Sequence, residues 1–171
     1  SGEPGTGDTS AGAHADAEEV IALIESRGSP LLVSHVATVK KLVELRARLE
    51  SRLNVLKDVV KGKDQNAVKD QLERSRKFRS AAGESDLALA AILKEQVALA
   101  ERRALLHERA LARGARFEAE INRIDIQIAL IRDEVVLHGE DEAATLAIIQ
   151  SVMASAQEAS RWIEENKDLD D

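Results

Sequence analysis

Catalysis needs a nucleophile beside a base, or a matched acid and base, gathered in one pocket. The titratable residues near neutrality are His14, His35, His107 and His138, spread over a polar leader and three helical positions. Glu134 and His138 stand four apart and share a helix face, which resembles part of a metal site, and Glu142 could extend the set. Gly139 is expected to turn the chain before Glu142 can align. A carboxylate-bridged di-metal bundle requires Glu-x-x-His pairs on two helices, and the chain contains none. Ser151, Ser155 and Ser160 have no histidine nearby in sequence and read as residues of a helix face. Neither GxGxxG nor GxxxxGK[ST] occurs, so the nucleotide-binding fingerprints are missing. The expectation is a protein that is not an enzyme and uses no cofactor, metal or small-molecule substrate.

Charge offers a second kind of chemistry. Arg74, Arg76, Lys77 and Arg79 surround Phe78 with no acid among them. Such a run can meet phosphate on an anionic membrane surface or on nucleic acid, with Phe78 as a small apolar wedge. The other reading is pairing with acidic helix faces within the chain or between subunits. Residues 1–39 hold six acids and one base, 40–79 hold thirteen bases and six acids, and 80–171 hold ten bases and nineteen acids. Across 57–107 eleven bases face eight acids, a dilution that favours the pairing reading.

The elements that carry these residues are helices. Residues 84–138 contain no proline and one internal glycine, Gly114. In their second half Phe117, Ile121, Ile124, Ile128, Ile131 and Val135 recur in steps of four and three, the pattern of a helix burying one narrow stripe. Leu93, Val97, Ala100, Ala104, His107 and Leu111 do the same in the first half, offset by one residue near Gly114 as a stammer would leave them. His107 and His138 fall on this stripe, where a core or seam histidine is the ordinary reading. A second stripe runs through Val39, Leu42, Leu45, Leu49, Leu53, Leu56 and Val60, and a third through Thr145, Ile149, Val152, Ala156, Ala159 and Ile163.

Local signals set the expected boundaries. Residues 1–14 are rich in Gly, Ser and Thr and predict a disordered tail. Asp16 with Glu19 resembles a capping box, giving a helix over about 16–27. Pro30 opens a helix expected to run over about 30–61, and the polar stretch around Gly62 either kinks or breaks it. Further helices are expected over about 64–82, 85–138 with Ser85 as cap, and 141–167 with Asp141 as cap, before an acidic frayed end at 169–171. Residues 15–168 thus predict a single elongated all-α domain. Arms of matched length, 30–82 and 85–138, predict a long antiparallel hairpin, a coiled coil with the basic run close to its tip. The two shorter helices would join its base in a four-helix section, with Trp162 anchoring the last of them.

Composition narrows the function classes. The chain of 171 residues carries a net charge of −7, which argues against whole-surface nucleic-acid binding. Only Phe78, Phe117 and Trp162 are aromatic, too few for base stacking or an aromatic-lined pocket. Zero cysteines exclude disulfides and thiolate metal sites and fit a cytoplasmic location. No apolar run is long enough for a transmembrane helix. Residues 87–93 (LALAAIL) are apolar around more than one stripe, so Leu87, Leu89, Ile92 and Leu93 are the candidates for self-association. The reading is a scaffold or adaptor working through protein partners, as a homodimer. The alternatives are a peripheral membrane- or nucleic-acid-binding protein using its basic arm, or a secreted effector or secretion-apparatus component. Helical hairpins rich in Ala, Leu, Glu and Arg occur in adaptors, membrane-remodelling proteins and secretion stalks, and no motif here separates these.

Overall fold

The computed structural model describes residues 7–61, 65–83, 86–138 and 140–167, and these are all-α. Among the described residues six helices follow one another: α1 (Gly7–Arg27), α2 (Pro30–Val33), α3 (Val36–Lys61), α4 (Gln65–Ala81), α5 (Leu87–His138) and α6 (Glu142–Glu165). Their residues fall into two compact units, Ser1–Glu50 with Ala119–Asp171, and Ser51–Glu118.

The first unit contains the larger core. Its apolar stripes are Ala13, Ala17, Val20 and Ile24 on α1, Val36, Val39, Leu42, Leu45 and Leu49 on α3, Ile124, Ile128, Ile131 and Val135 on α5, and Ile149, Val152, Ala159 and Ile163 on α6. Leu32 of α2 joins them, fully buried. Each fully buried Val, Leu or Ile contributes about 1.5–3 kcal/mol relative to exposure. Polar contacts fix the neighbours: Arg46 of α3 binds Asp125 of α5, and Arg132 of α5 binds Glu19 of α1 at 2.7 Å. Between α3 and α6, Thr38 donates to Met153 Sδ at 3.7 Å and Arg48 reaches Glu164 at 3.0 Å.

Two local expectations are corrected here. The helix starts at Gly7, so residues 7–14 are not a disordered tail. Alanine is the strongest helix former, and Ala13 and Ala17 extend the stripe of Val20 and Ile24 back by two turns. Asp16 and Glu19 are therefore mid-helix, and instead of capping they face Arg132, with Asp16 3.9 Å from it. The stretch expected as one helix over 30–61 divides at Ser34 and His35. The Ser34 hydroxyl donates to Leu31 O at 2.7 Å and the His35 amide donates to Leu32 O at 2.9 Å. A serine satisfying the preceding turn competes with helix propagation, and α3 restarts from the His35 carbonyl, which accepts from Thr38 N at 3.0 Å. Two boundaries meet their expected caps. Gly28 closes α1 with φ 63°, and Asp141 accepts from Ala144 N at 3.1 Å to start α6.

The second unit comprises the end of α3, α4 and the first part of α5. Among the described residues its buried apolar side chains are Leu53, Val68, Val97, Ala100 and Phe117. Lys57 pairs with Glu118 at 3.3 Å, Arg103 donates to Gln71, and Arg76 pairs with Glu101 at 3.1 Å. The partners descend along α5 as the positions ascend through α3 and α4. Asp86 accepts from Leu89 N at 3.1 Å at the start of α5. Ser85, Gly62, Gly139, the leader 1–6 and the acidic end 168–171 lie outside the described residues.

Candidate interaction surface

The surface is built on α4 and the N-terminal part of α5, within the second unit. On α4 the residues Gln71, Arg74, Ser75 and Phe78 recur in steps of three, one and three and so share a face. Opposite them α5 presents Gln96, Leu99, Ala100 and Arg103, and the eight residues line an open groove of about 490 Å³. Phe78 is 65% exposed and Leu99 61% exposed, although both stand at the wall of this groove. Ser75 and Ser80 turn their hydroxyls back onto the carbonyls of Gln71 and Arg76, leaving the surface to the longer side chains.

The basic run is displayed rather than consumed. Arg74, Arg76, Lys77 and Arg79 are all exposed. Arg76 is held by Glu101, while Arg74 donates to Asp70 O at 3.4 Å. Both ends of the Arg76–Glu101 pair are more than half exposed, so solvent screens it and its contribution to stability is small.

The self-association candidates are also on the surface. Leu87 is 82% exposed, Leu89 44% and Ile92 54%, whereas Leu93 is half-buried because it begins the stripe that continues to Val97 and Ala100. Three residues outside that set extend the exposed apolar face: Leu99, Leu105 and Leu106. Ile92, Leu99 and Leu106 are seven apart and so align along one side of α5. The heptad spacing was present in the sequence, but it runs one position ahead of the buried stripe and was masked by it.

A second groove of about 280 Å³ lies lower in this unit, walled by Leu53, Leu56, Val60, Ala110, Leu111 and Ala115, with Gly114 at its floor. The Lys57–Glu118 pair stands at its rim. Beside it His107 is half-buried, and both its ring nitrogens are shielded from solvent without a hydrogen-bond partner.

Elsewhere the titratable residues stand apart. His138 Nδ1 lies 3.3 Å from Glu134, and His14 Nε2 lies 3.2 Å from Glu18, each an i,i+4 pair on a single helix. Among the described residues no three His, Asp or Glu side chains converge as metal ligands do. Trp162 is half-buried near the end of α6, next to the fully buried Ile163. Among the described residues no helix is long and apolar enough to cross a membrane.

The fold and surface define an all-α protein whose second unit leaves a basic and apolar face open. The chain matches no protein-family profile, no characterised protein and no solved structure.

Proposed function

We propose that this chain is a non-enzymatic helical scaffold or adaptor of the coiled-coil type, acting in the cytoplasm through self-association and contacts with protein partners. One observation carries the reading. Among the described residues, eight of the fourteen large hydrophobic side chains that remain exposed belong to Ser51–Glu118. Layers of helices with apolar surface on a second side are completed by another helix. The descending order of the pairs Lys57–Glu118, Gln71–Arg103 and Arg76–Glu101 supports the antiparallel hairpin as the framework. Sedimentation equilibrium tests the reading: the wild type is expected as a dimer, and changing Leu87, Leu89, Ile92 and Leu93 together to serine is expected to shift it to monomer. A wild type that stays monomeric up to its solubility limit removes self-association from the proposal.

A second reading has its own support. Arg74, Arg76, Lys77 and Arg79 are exposed around an exposed Phe78, the arrangement by which a peripheral protein meets an anionic membrane or nucleic acid. A secreted effector or secretion component would display the same surface. Co-sedimentation with anionic vesicles and a DNA mobility shift, each at two salt concentrations, separate these targets from a protein-only role.

A further inference from the structure

The apolar side of α5 has a symmetry that identifies its partner. Ile92, Leu99 and Leu106 are 54%, 61% and 56% exposed and stand at equal intervals of seven residues. They lie about 100° around the helix from the neighbouring positions Leu93, Ala100 and His107 of the inward stripe. Leu99 stands at the wall of the groove shared with α4, yet most of its surface, like that of Ile92 and Leu106, stays open to solvent. The flanking charges are arranged about the same centre. Glu95 stands four residues before Leu99, and Arg102 and Arg103 stand three and four residues after it. Glu95 and Arg102 are exposed and Arg103 is half-buried, its guanidinium bonded to the neutral Gln71.

Resting on the self-association reading above, we propose that the occupant of this face is α5 of a second copy, antiparallel, with the two-fold axis beside Leu99. Reversing the helix about Leu99 sets Ile92 level with Leu106 of the second copy, and Leu106 level with its Ile92. It also sets each Glu95 level with the opposing Arg102 and Arg103, so the two symmetric sets of charges attract. A parallel, in-register pair would instead place Glu95 against Glu95 and the arginines against arginines, which is repulsive. The apolar contact from residue 92 to residue 106 spans about 21 Å, with its three apolar layers about 10.5 Å apart. Phe78 lines the groove beside Leu99, so both α4 helices flank the axis, and two two-helix layers close into a four-helix section. The interface is isologous, uses one patch twice and ends at a dimer.

The absence of cysteine from the chain makes the test direct. Leu99→Cys, on the axis, is expected to form a disulfide-linked dimer rapidly under mild oxidation. Leu89→Cys is expected not to, because its two copies would be about 30 Å apart in the antiparallel pair. Both positions are exposed, so neither change disturbs the core, and circular dichroism checks that helicity is kept. Glu95→Lys is expected to weaken the dimer roughly tenfold by opposing like charges, and adding Arg102→Glu with Arg103→Glu is expected to restore it. A dimer that cross-links at both cysteines, or at Leu89→Cys alone, overturns the antiparallel arrangement and leaves self-association standing. A chain that is monomeric at all concentrations overturns both, and the face then belongs to a different protein.

Discussion

Arg46 of α3 grips Asp125 of α5 with two hydrogen bonds, Nε to Oδ1 at 2.6 Å and Nη2 to Oδ2 at 3.3 Å. Its remaining nitrogen Nη1 reaches Glu50 at 3.1 Å, and the residue is only 6% exposed. The Asp125 hydrogen bond, opposed by burial, holds the guanidinium's pKa above its ordinary value, with the charges of Asp125 and Glu50 adding to it. The pair is thus a fixed charge contact set among apolar neighbours such as Leu45 and Leu49.

Breaking that pair from one side is expected to be more damaging than replacing it. Asp125→Ala leaves a buried cation with Glu50 alone, an expected loss of about 3 kcal/mol. Arg46→Met combined with Asp125→Leu removes both charges and is expected to recover most of it. Urea unfolding of Arg46→Met, Asp125→Leu and the double variant measures the coupling directly. If Asp125→Ala unfolds at the wild-type midpoint, the contact contributes nothing.

Arg132 provides the contrast. It binds Glu19 at 2.7 Å and lies 3.9 Å from Asp16, and the Glu19 hydrogen bond raises its pKa, yet it is only half-buried and open to solvent. Arg132→Met is expected to lower the melting temperature slightly at low salt and not at all in high salt, where the Debye length shrinks to about 3 Å. A loss that survives at high salt would mean that the arginine acts through packing of its stem rather than charge.

Much of the helical framework is legible in the residues themselves. The four-three stepping of Ile124, Ile128, Ile131 and Val135, and of Ile149, Val152, the half-buried Ala156, Ala159 and Ile163, reports buried stripes because nothing else needs that period. Asp141 is legible as a cap because a short acceptor precedes an apolar run. The division at Ser34–His35 is not, since Leu32, Val36 and Val39 carry the stripe straight across it. The role of Asp16 and Glu19 depends on Arg132, 113 residues beyond Glu19, and a local capping signal carries no information about so distant a partner. The exposed face of Ile92, Leu99 and Leu106 is hidden for a third reason. Periodicity shows which residues share a side of a helix, not which side has a neighbour.

Glycine positions give opposite expectations. Gly114 is helical and without a positive φ, and a Cβ there would meet Leu53 Cδ1 at 3.7 Å, an ordinary contact. Gly114→Ala is expected to stabilise by about 1 kcal/mol through helix propensity and the smaller entropy of the unfolded chain. Gly28 has φ 63°, where a side chain is strained, and Gly28→Ala is expected to destabilise by about 1 kcal/mol although no atom lies within 4 Å of the new carbon. Thermal melts of the two variants should move in opposite directions. A shared sign would show that space, not backbone conformation, governs both sites.

His107 stands on the inward stripe of α5, where Leu93, Val97, Ala100 and Leu111 are apolar, and its ring nitrogens are both shielded without hydrogen-bond partners. A polar group withdrawn from water without a partner costs about 1–3 kcal/mol. Replacing it by an apolar side chain of similar volume removes that cost and keeps the packing. His107→Leu is therefore expected to raise stability by about 1 kcal/mol in urea unfolding, while His107→Ala, which also opens a cavity, is expected to lower it. The ordering of the three proteins separates the two effects. Leucine above histidine above alanine identifies a packed residue carrying unsatisfied nitrogens. Histidine above both would show that the imidazole makes a favourable polar contact when folded, and that this position carries a function beyond filling the seam.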